Sequence, residues 1–239
     1  MADHKKEQER EELHRTIWAI ANDLRGSVDG WDFKQYVLGM LFYRYISENF
    51  TDYINQGEQE AGNEGFDYAL LPDEDAEQAR EDLITTKGFF ILPSQLFSNV
   101  RDRAPQDENL NETLAAVFQA IEDSAKGSES EDDFKGLFDD IDVNSNKLGA
   151  TVAKRNEKLV KLLNGVGDMQ LGNYQDNTID AFGDAYEYLM ACMPPTQAKA
   201  AGNTSPPRKS LNYSPVLPLG RRRRSTRSTT PPVAPAPCC

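Results

Sequence analysis

The chain has 239 residues, 39 of them acidic and 26 basic, for a net charge of −13 at pH 7. All three cysteines and ten of the thirteen prolines follow Met190, where no acidic residue occurs, so residues 1–190 carry a charge of −21 and no cysteine. This composition excludes a disulfide scaffold, a membrane span and a signal peptide, and it argues against DNA binding by residues 1–190 alone. We therefore expect a soluble cytoplasmic protein.

Two helices are predicted in the first 55 residues. Residues 7–25 place apolar side chains at helical spacing, with Trp18 beside the stripe; the stripe residues are Leu13, Ile17, Ile20, Ala21 and Leu24. Residues 32–55 are apolar on more than one face, which is typical of a central core helix. Asp29 or Asp32 is a plausible N-cap for this second helix.

The next segment is more irregular. Residues 56–72 form a linker rich in Gly and Glu, and a short acidic helix is predicted from Pro72 to Leu83. The apolar run Phe89 to Leu92, ended by a proline, fits either a short strand or an extended segment packed on the core. Ser94 is a candidate cap for a turn that continues to Val100.

Four further helical segments follow, at residues 110–124, 134–141, 156–166 and 179–190. Asn109 or Asn111 lies near the start of the first of them, where a capping side chain is expected. The pattern predicts about seven helices and almost no strand, and therefore an all-α domain.

We divide the chain into four parts on this basis. Residues 1–7 are expected to be a flexible N-terminus, 8–155 a helical N-terminal domain, and 156–190 a helical lead-in to a further domain. Residues 191–239 are rich in Pro, Ser and Arg and bury too little apolar surface to fold, so a disordered basic tail is expected.

Two motifs resemble known binding loops but lack required residues. The string D-x-D-x-N-x-N at 140–146 resembles a calcium loop, yet its sixth and twelfth positions hold Ser145 and Thr151 in place of Gly and Glu. We interpret it as an Asx-rich turn before a helix. The string G-V-G at 165–167 lacks a third glycine and a preceding strand, so it is not a phosphate-binding loop.

Other polar residues give no stronger signal. His4 and His14 have no metal-ligand partners at suitable spacing. Lys154 and Arg155, followed by Asn156, fit a solvated helix start better than a substrate clamp. The sequence therefore predicts no catalytic, cofactor-binding or metal-binding residue in this chain.

The string D-F-K-Q-Y-V-L-G-M-L-F-Y-R-Y-I-S-E-N-F at 32–50 carries a family resemblance. It resembles the N-terminal helical domain of the modification (M) subunit of type I restriction–modification systems. Further matches follow in family order: the opening helix at 13–24, G-x-F-x-x-P at 88–93, D-D-I-D-V-N-S-N-K-L-G at 139–149, R-N at 155–156 and D-A-F-G-D-A-Y-E-Y-L at 180–189. The resemblance covers residues 8–190.

The resemblance implies an adenine-specific DNA methyltransferase. Intact M subunits use S-adenosylmethionine and a Rossmann-like domain that follows the helical one. They pair with a specificity (S) subunit and a second M subunit, and the complex cleaves DNA with a restriction (R) subunit. The helical domain is expected to pack against the other M subunit and to close around DNA, which it contacts only within the complex.

Residues 191–239 encode a further pattern at the level of codons. Read one nucleotide earlier, the codons of 196–207 permit N-A-G-K-S-G-G-E-Y-F-T-P, and those of 229–239 permit Y-D-P-A-C-G-S-G-S-L-L. These strings resemble the family's two cofactor segments, in the correct order. We therefore infer a frameshift near Ala191. On that interpretation, Arg221 to Arg224 and the pair Cys238-Cys239 have no selected role as a nucleic-acid patch or a metal site.

These observations predict a truncated M subunit that keeps the helical domain, lacks the catalytic domain, binds no S-adenosylmethionine and is inactive alone. The alternative is a stand-alone helical module that docks on M or S subunits without catalysis. A third interpretation is an unrelated helical protein with a basic tail.

Overall fold

The computed structural model describes residues 2–23, 30–169 and 181–192. Within these ranges the chain forms nine α-helices and three 3-10 turns, and no strand, which confirms the all-α prediction. The helices are α1 Ala2–Asp23, α2 Gly30–Glu60, α3 Asp73–Glu77, α4 Arg80–Lys87, α5 Phe97–Arg103, α6 Leu110–Ser124, α7 Glu131–Phe134, α8 Val152–Gly167 and α9 Ala181–Cys192. The predicted tail lies outside the described residues.

Helix α2 lies at the centre of the core, because its apolar side chains surround the helix axis and meet neighbours on several sides. Its buried residues are Phe33, Tyr36, Val37, Met40, Leu41, Tyr43, Ile46 and Phe50. The Tyr43 ring meets Phe97 and Phe118 edge-on, at centroid distances of 5.4 and 5.5 Å. Its hydroxyl donates to the Gln95 carbonyl at 2.6 Å, so the buried polar atom has a partner.

The apolar run at 89–92 is an extended segment packed on the core, and it forms no strand. Side-chain hydroxyls bond its backbone in place of a neighbouring strand. The Ser124 hydroxyl accepts from the Phe90 N–H at 2.9 Å, and the Tyr68 hydroxyl donates to the Ile91 carbonyl at 2.8 Å. These bonds satisfy backbone groups that a strand would otherwise pair.

Helices α6, α8 and α9 pack their apolar stripes against α1 and α2 or against each other. Helix α8 begins at Val152 because Thr151 caps it, its side chain accepting from the Lys154 N–H. The boundary expected after residue 155 falls inside this single helix, which packs on α1, α2 and α6.

Other element boundaries also differ from the predictions. Helix α1 begins at Ala2, in the part expected to be flexible, and α2 runs on to Glu60. Asp32 lies inside α2 and is not its N-cap, while Asp29 lies outside the described residues.

The acidic helix expected at 72–83 forms two pieces, α3 and α4. Ser94 is not a cap, because its hydroxyl donates to Asp73 at 2.5 Å.

Candidate interaction surface

Helices α1 and α9 form one contact that closes a side of the fold. The α1 residues Leu13, Ile17 and Ile20 face the core, and α9 buries Ala185 and Leu189. The apolar stripe of each helix therefore points inward and fixes which residues remain on the outside.

The outer side of this contact is an open groove of about 520 Å³, lined by Glu11, His14, Arg15, Trp18 and Tyr188. We call it the α1–α9 groove. The His14 and Tyr188 rings are stacked, with centroids 3.7 Å apart and planes at 10°. Trp18 is 48% exposed, and large exposed aromatics of this kind commonly anchor protein interfaces. The groove combines aromatic surface with one acidic and one basic side chain.

Electrostatic contacts hold the two helices in register. Arg10 Nε donates to Asp184 Oδ2 at 2.9 Å, and this carboxylate raises the pKa of the Arg10 guanidinium. Burial lowers the pKa of His14 below its ordinary value, so its ring is neutral at pH 7. A neutral ring stacks on Tyr188 without the cost of desolvating a charge.

The acidic loop at 140–146 is confirmed as an Asx turn. Asp142 Oδ1 accepts from the Asn144 N–H at 3.0 Å, and the Asp142 carbonyl accepts from the Tyr36 hydroxyl at 2.7 Å. Asn111 Nδ2 donates to Asn144 Oδ1 at 2.5 Å, which ties the loop to α6. In the described parts of the chain, no group of three or more His, Cys, Asp or Glu side chains is arranged to hold a metal ion.

Asn156 joins α8 to α6. Its Oδ1 accepts from the Asn111 N–H at 3.2 Å, and its Nδ2 donates to the Glu108 carbonyl at 2.6 Å. The side chain is buried, so Asn156 is not part of a solvated helix start, although Lys154 is exposed. This asparagine positions the two helix starts relative to one another.

The two glycines at 165–167 permit close packing inside α8. A Cβ on Gly165 would lie 2.5 Å from Ile20 Cγ1, and one on Gly167 would meet the Arg101 guanidinium. Side chains of the protein itself therefore occupy the space beside both glycines. The same absence of side chains lets α1 and α5 approach α8.

Two arginines hold the C-terminal end of α8, an arrangement we call the α8 clasp. Arg44 Nη1 donates to the carbonyls of Val166 and Met169 at 2.7 and 2.8 Å. Arg101 Nε donates to Asn164 Oδ1 at 3.2 Å, and its Nη2 bonds Asp168. Arg44 adds a donor to two carbonyls at the helix end, and both arginines place positive charge at the negative end of the helix dipole.

Sequence reasoning did not find the α1–α9 groove. The available signal was Trp18, a large aromatic residue that lies beside the buried stripe of α1 rather than within it. Its neighbour Tyr188 comes from α9, far along the chain, so the pairing depends on the tertiary fold.

None of the described helices is long and apolar enough to cross a membrane.

Comparison with known proteins places this fold among methylase subunits. A sequence model of the HsdM N-terminal domain matches residues 13–166. The type I restriction enzyme MpnII methylase subunit of Mycoplasma pneumoniae is 40% identical over 225 residues, covering 91% of this chain and 41% of the relative. The MjaIX methylase subunit of Methanocaldococcus jannaschii is 22% identical over 202 residues, covering 82% of this chain and 33% of the relative.

A solved structure shares the fold. The methyltransferase subunit of a type I restriction-modification system from Streptococcus thermophilus superposes with a TM-score of 0.58 at 27% identity, covering 75% of this chain and 38% of that one. The chain spans about two fifths or less of the length of these relatives. The helical architecture, the family match over residues 13–166 and the 40% identical methylase subunit lead to one conclusion: this chain belongs to the HsdM N-terminal domain family of type I methylase subunits.

Proposed function

We propose that this chain supplies the helical domain of the modification subunit in a cytoplasmic type I restriction–modification complex, where it assembles with a specificity subunit and a second modification subunit. The observation that carries the proposal is the α1–α9 groove, an exposed aromatic surface within a domain of known family. Intact members would methylate adenine in DNA with S-adenosylmethionine, and a restriction subunit would join the same complex.

We assign the α1–α9 groove to contact with a second copy of this domain. Glu11 and Arg15 line the groove on the N-terminal side of Trp18. In a two-fold dimer whose axis passes between Glu11 and Arg15, the same patch meets itself and the acid of one copy faces the base of the other. Such a self-complementary edge suits pairing of two modification subunits better than it suits an unrelated partner.

Sedimentation velocity of the full chain tests this assignment. The wild type, at 26.8 kDa, should form dimers of about 54 kDa with increasing concentration. Trp18→Ala should weaken dimerisation about 30-fold, as expected for an aromatic anchor worth about 2 kcal/mol. Leu70→Ala is the matched control, because Leu70 is 82% exposed and lies outside the groove.

A charge exchange distinguishes direct pairing from indirect damage. Arg15→Glu should weaken the dimer, and the double variant Glu11→Arg, Arg15→Glu should restore it, since the exchanged charges still face one another. Equal dimerisation of wild type, Trp18→Ala and Arg15→Glu would refute the assignment.

We propose further that residues 191–239 are read in a shifted frame and therefore carry no cofactor-binding residues. The codons of 196–207 and 229–239 support this, because both permit family-like cofactor segments in one alternative frame.

The nucleotide sequence is the direct test of the shifted frame. The frame one nucleotide earlier should run through both segments without a stop and continue into an Asn-Pro-Pro-aromatic motif. A stop codon within either segment, or the absence of that motif, would disprove the frameshift.

Titration calorimetry with S-adenosylmethionine separates an inactive domain from a working enzyme. We expect no saturable heat from the full chain, and saturable binding would contradict the proposal. A stand-alone module that docks on other subunits would also give no heat, but its gene would lack the shifted continuation.

A further inference from the structure

One titratable ring lies within the helix face that carries the α1–α9 groove. Four residues of α1 line the groove at the i, i+3, i+4 and i+7 spacing of a single helix face: Glu11, His14, Arg15 and Trp18. The Tyr188 ring of α9 stacks on His14 with centroids 3.7 Å apart. A partner that covers this groove therefore also covers the His14 imidazole.

The protonation state of His14 changes the energy of covering it. Histidine is the side chain whose ordinary pKa, about 6.5, lies nearest to neutral pH. The His14 ring is half-buried in the single chain, and this burial already holds its pKa below the ordinary value. A second copy seated on the groove would remove the ring further from water. That step costs more for the charged imidazolium than for the neutral ring.

The charged groups of α9 do not remove this cost. Asp184 faces the ring and raises the pKa of His14, but its carboxylate also accepts from Arg10 Nε at 2.9 Å. Arg10 in turn lowers the pKa of His14. Glu187 is exposed and acts on the Arg10 guanidinium. The ion pair between the two helices therefore leaves little net negative charge to hold a proton on the ring.

Two-fold pairing brings like charges together at this ring. With the axis between Glu11 and Arg15, each Glu11 faces an Arg15 of the other copy, so this acid is paired and does not neutralise an imidazolium. The two copies of His14 flank the same axis, and two positive rings in one interface repel each other. Helix α8 meets α1 on the core side instead, where Gly165 lies against the buried Ile20.

We propose that protonation of His14 controls dimerisation through the α1–α9 groove, and that the neutral ring is the form that pairs. This rests on the proposed function, in which the groove contacts a second copy of the domain. Two protonated chains release up to two protons when they pair, one from each His14. Pairing is therefore complete above about pH 6.5 and weakens as the pH falls below that value.

The direction of the pH effect separates His14 from the acidic surface. Residues 1–190 carry a charge of −21 at pH 7, and protonation of carboxylates reduces the repulsion between two such copies. Carboxylate titration should therefore strengthen the dimer as the pH falls, whereas protonation of His14 should weaken it. A dimer that weakens at lower pH is the result that only the histidine explains.

Sedimentation velocity of the full chain at about pH 7.5 and about pH 5.5, at constant ionic strength, tests the proposal. The dimerisation constant of the wild type should fall about tenfold, with an upper limit of about 100-fold for two histidines of ordinary pKa. The variant His14→Phe keeps an aromatic ring beside Tyr188 but cannot be protonated, so its dimer should not weaken. The matched control is His4→Gln, which removes the other of the two histidines and should keep the wild-type pH dependence.

The possible outcomes separate this inference from the proposed function. A wild type that dimerises equally, or more strongly, at the lower pH would overturn the inference and leave the proposed function intact. The same weakening in His14→Phe and in the wild type would assign the effect to another group and would also overturn it. A wild type without dimers at either pH would refute the proposed function and the inference together.

Far-UV circular dichroism at both pH values shows whether the chain stays folded. The inference requires a folded monomer at the lower pH, with unchanged helical signal in the wild type and in both variants. Loss of that signal in the wild type would overturn the inference, because unfolding would then account for the missing dimer.

Discussion

The α8 clasp gives a prediction whose size follows from the structure. The Arg44 side chain is only 13% exposed and donates to two carbonyls at the end of α8, while its Nε contacts Glu48 at 2.6 Å. Replacing it by methionine keeps most of the apolar stem and removes the guanidinium. The variant Arg44→Met therefore tests whether the helix end depends on these hydrogen bonds.

The carbonyl contacts should dominate the energetic loss. Hydrogen bonds that involve a charged group contribute about 1.5–3 kcal/mol, and a cation at a helix C-terminus adds about 0.3–1 kcal/mol. These contributions share one side chain and do not add fully, so we expect Arg44→Met to lower the free energy of unfolding by about 2–4 kcal/mol. The ion pair with Glu48 is an i, i+4 pair with a 39% exposed partner, so Glu48→Gln should cost less than about 0.5 kcal/mol.

Urea unfolding followed by far-UV circular dichroism measures both losses. The midpoint should fall strongly for Arg44→Met and slightly for Glu48→Gln, with unchanged m-values if both variants unfold in two states. Arg44→Lys should lie between them, since an ammonium keeps the charge but cannot match the planar guanidinium. Equal losses for Arg44→Met and Glu48→Gln would refute the reasoning, because the ion pair would then account for the whole effect.

Three further predictions concern other parts of the fold. The pKa of His14 is lower in the folded protein than its ordinary value. The stability that this shift contributes is fully present above about pH 6.5 and is lost as pH falls through the folded-state pKa. The melting temperature should therefore decrease less between about pH 7 and 5 in His14→Gln than in the wild type. Gly149→Ala should lower the free energy of unfolding in urea by about 1–3 kcal/mol, because its Cβ would meet rigid backbone of α8; an unchanged midpoint would contradict this. Tyr43→Phe should lose about 1–2 kcal/mol in the same assay by leaving the Gln95 carbonyl without its donor, and a loss below about 0.5 kcal/mol would mean that water replaces the hydroxyl.

The sequence predicts helix boundaries best where apolar residues at helical spacing run from the first turn of the helix to the last. Residues 110–124 were predicted as a helix and form α6 over the same range, because their apolar side chains recur at 3–4 spacing from the first turn to the last. The start of α8 lies four residues before the predicted one, since the first turn, Val152 to Arg155, contributes no buried apolar side chain to the stripe. Only the cap by Thr151 marks that start.

The candidate sites were harder to predict than the fold. The stacked pair His14 and Tyr188 joins two helices distant in sequence, and no local pattern specifies that pairing. Lys154 is exposed, as the predicted solvated helix start requires, whereas Asn156 two residues later is buried.

The extended run at 89–92 has a consequence for refolding. An extended apolar segment with unpaired backbone N–H and C=O groups can pair with the same segment of another chain. In the folded protein, hydroxyls from Ser124 and Tyr68 occupy backbone groups of this run, so those groups are not available to a neighbouring strand. These partners lie on separate elements, α6 and the turn at Tyr68–Leu70, and protection is complete only after both have docked. The yield of refolded protein should therefore fall with increasing chain concentration, and most steeply when either hydroxyl is removed.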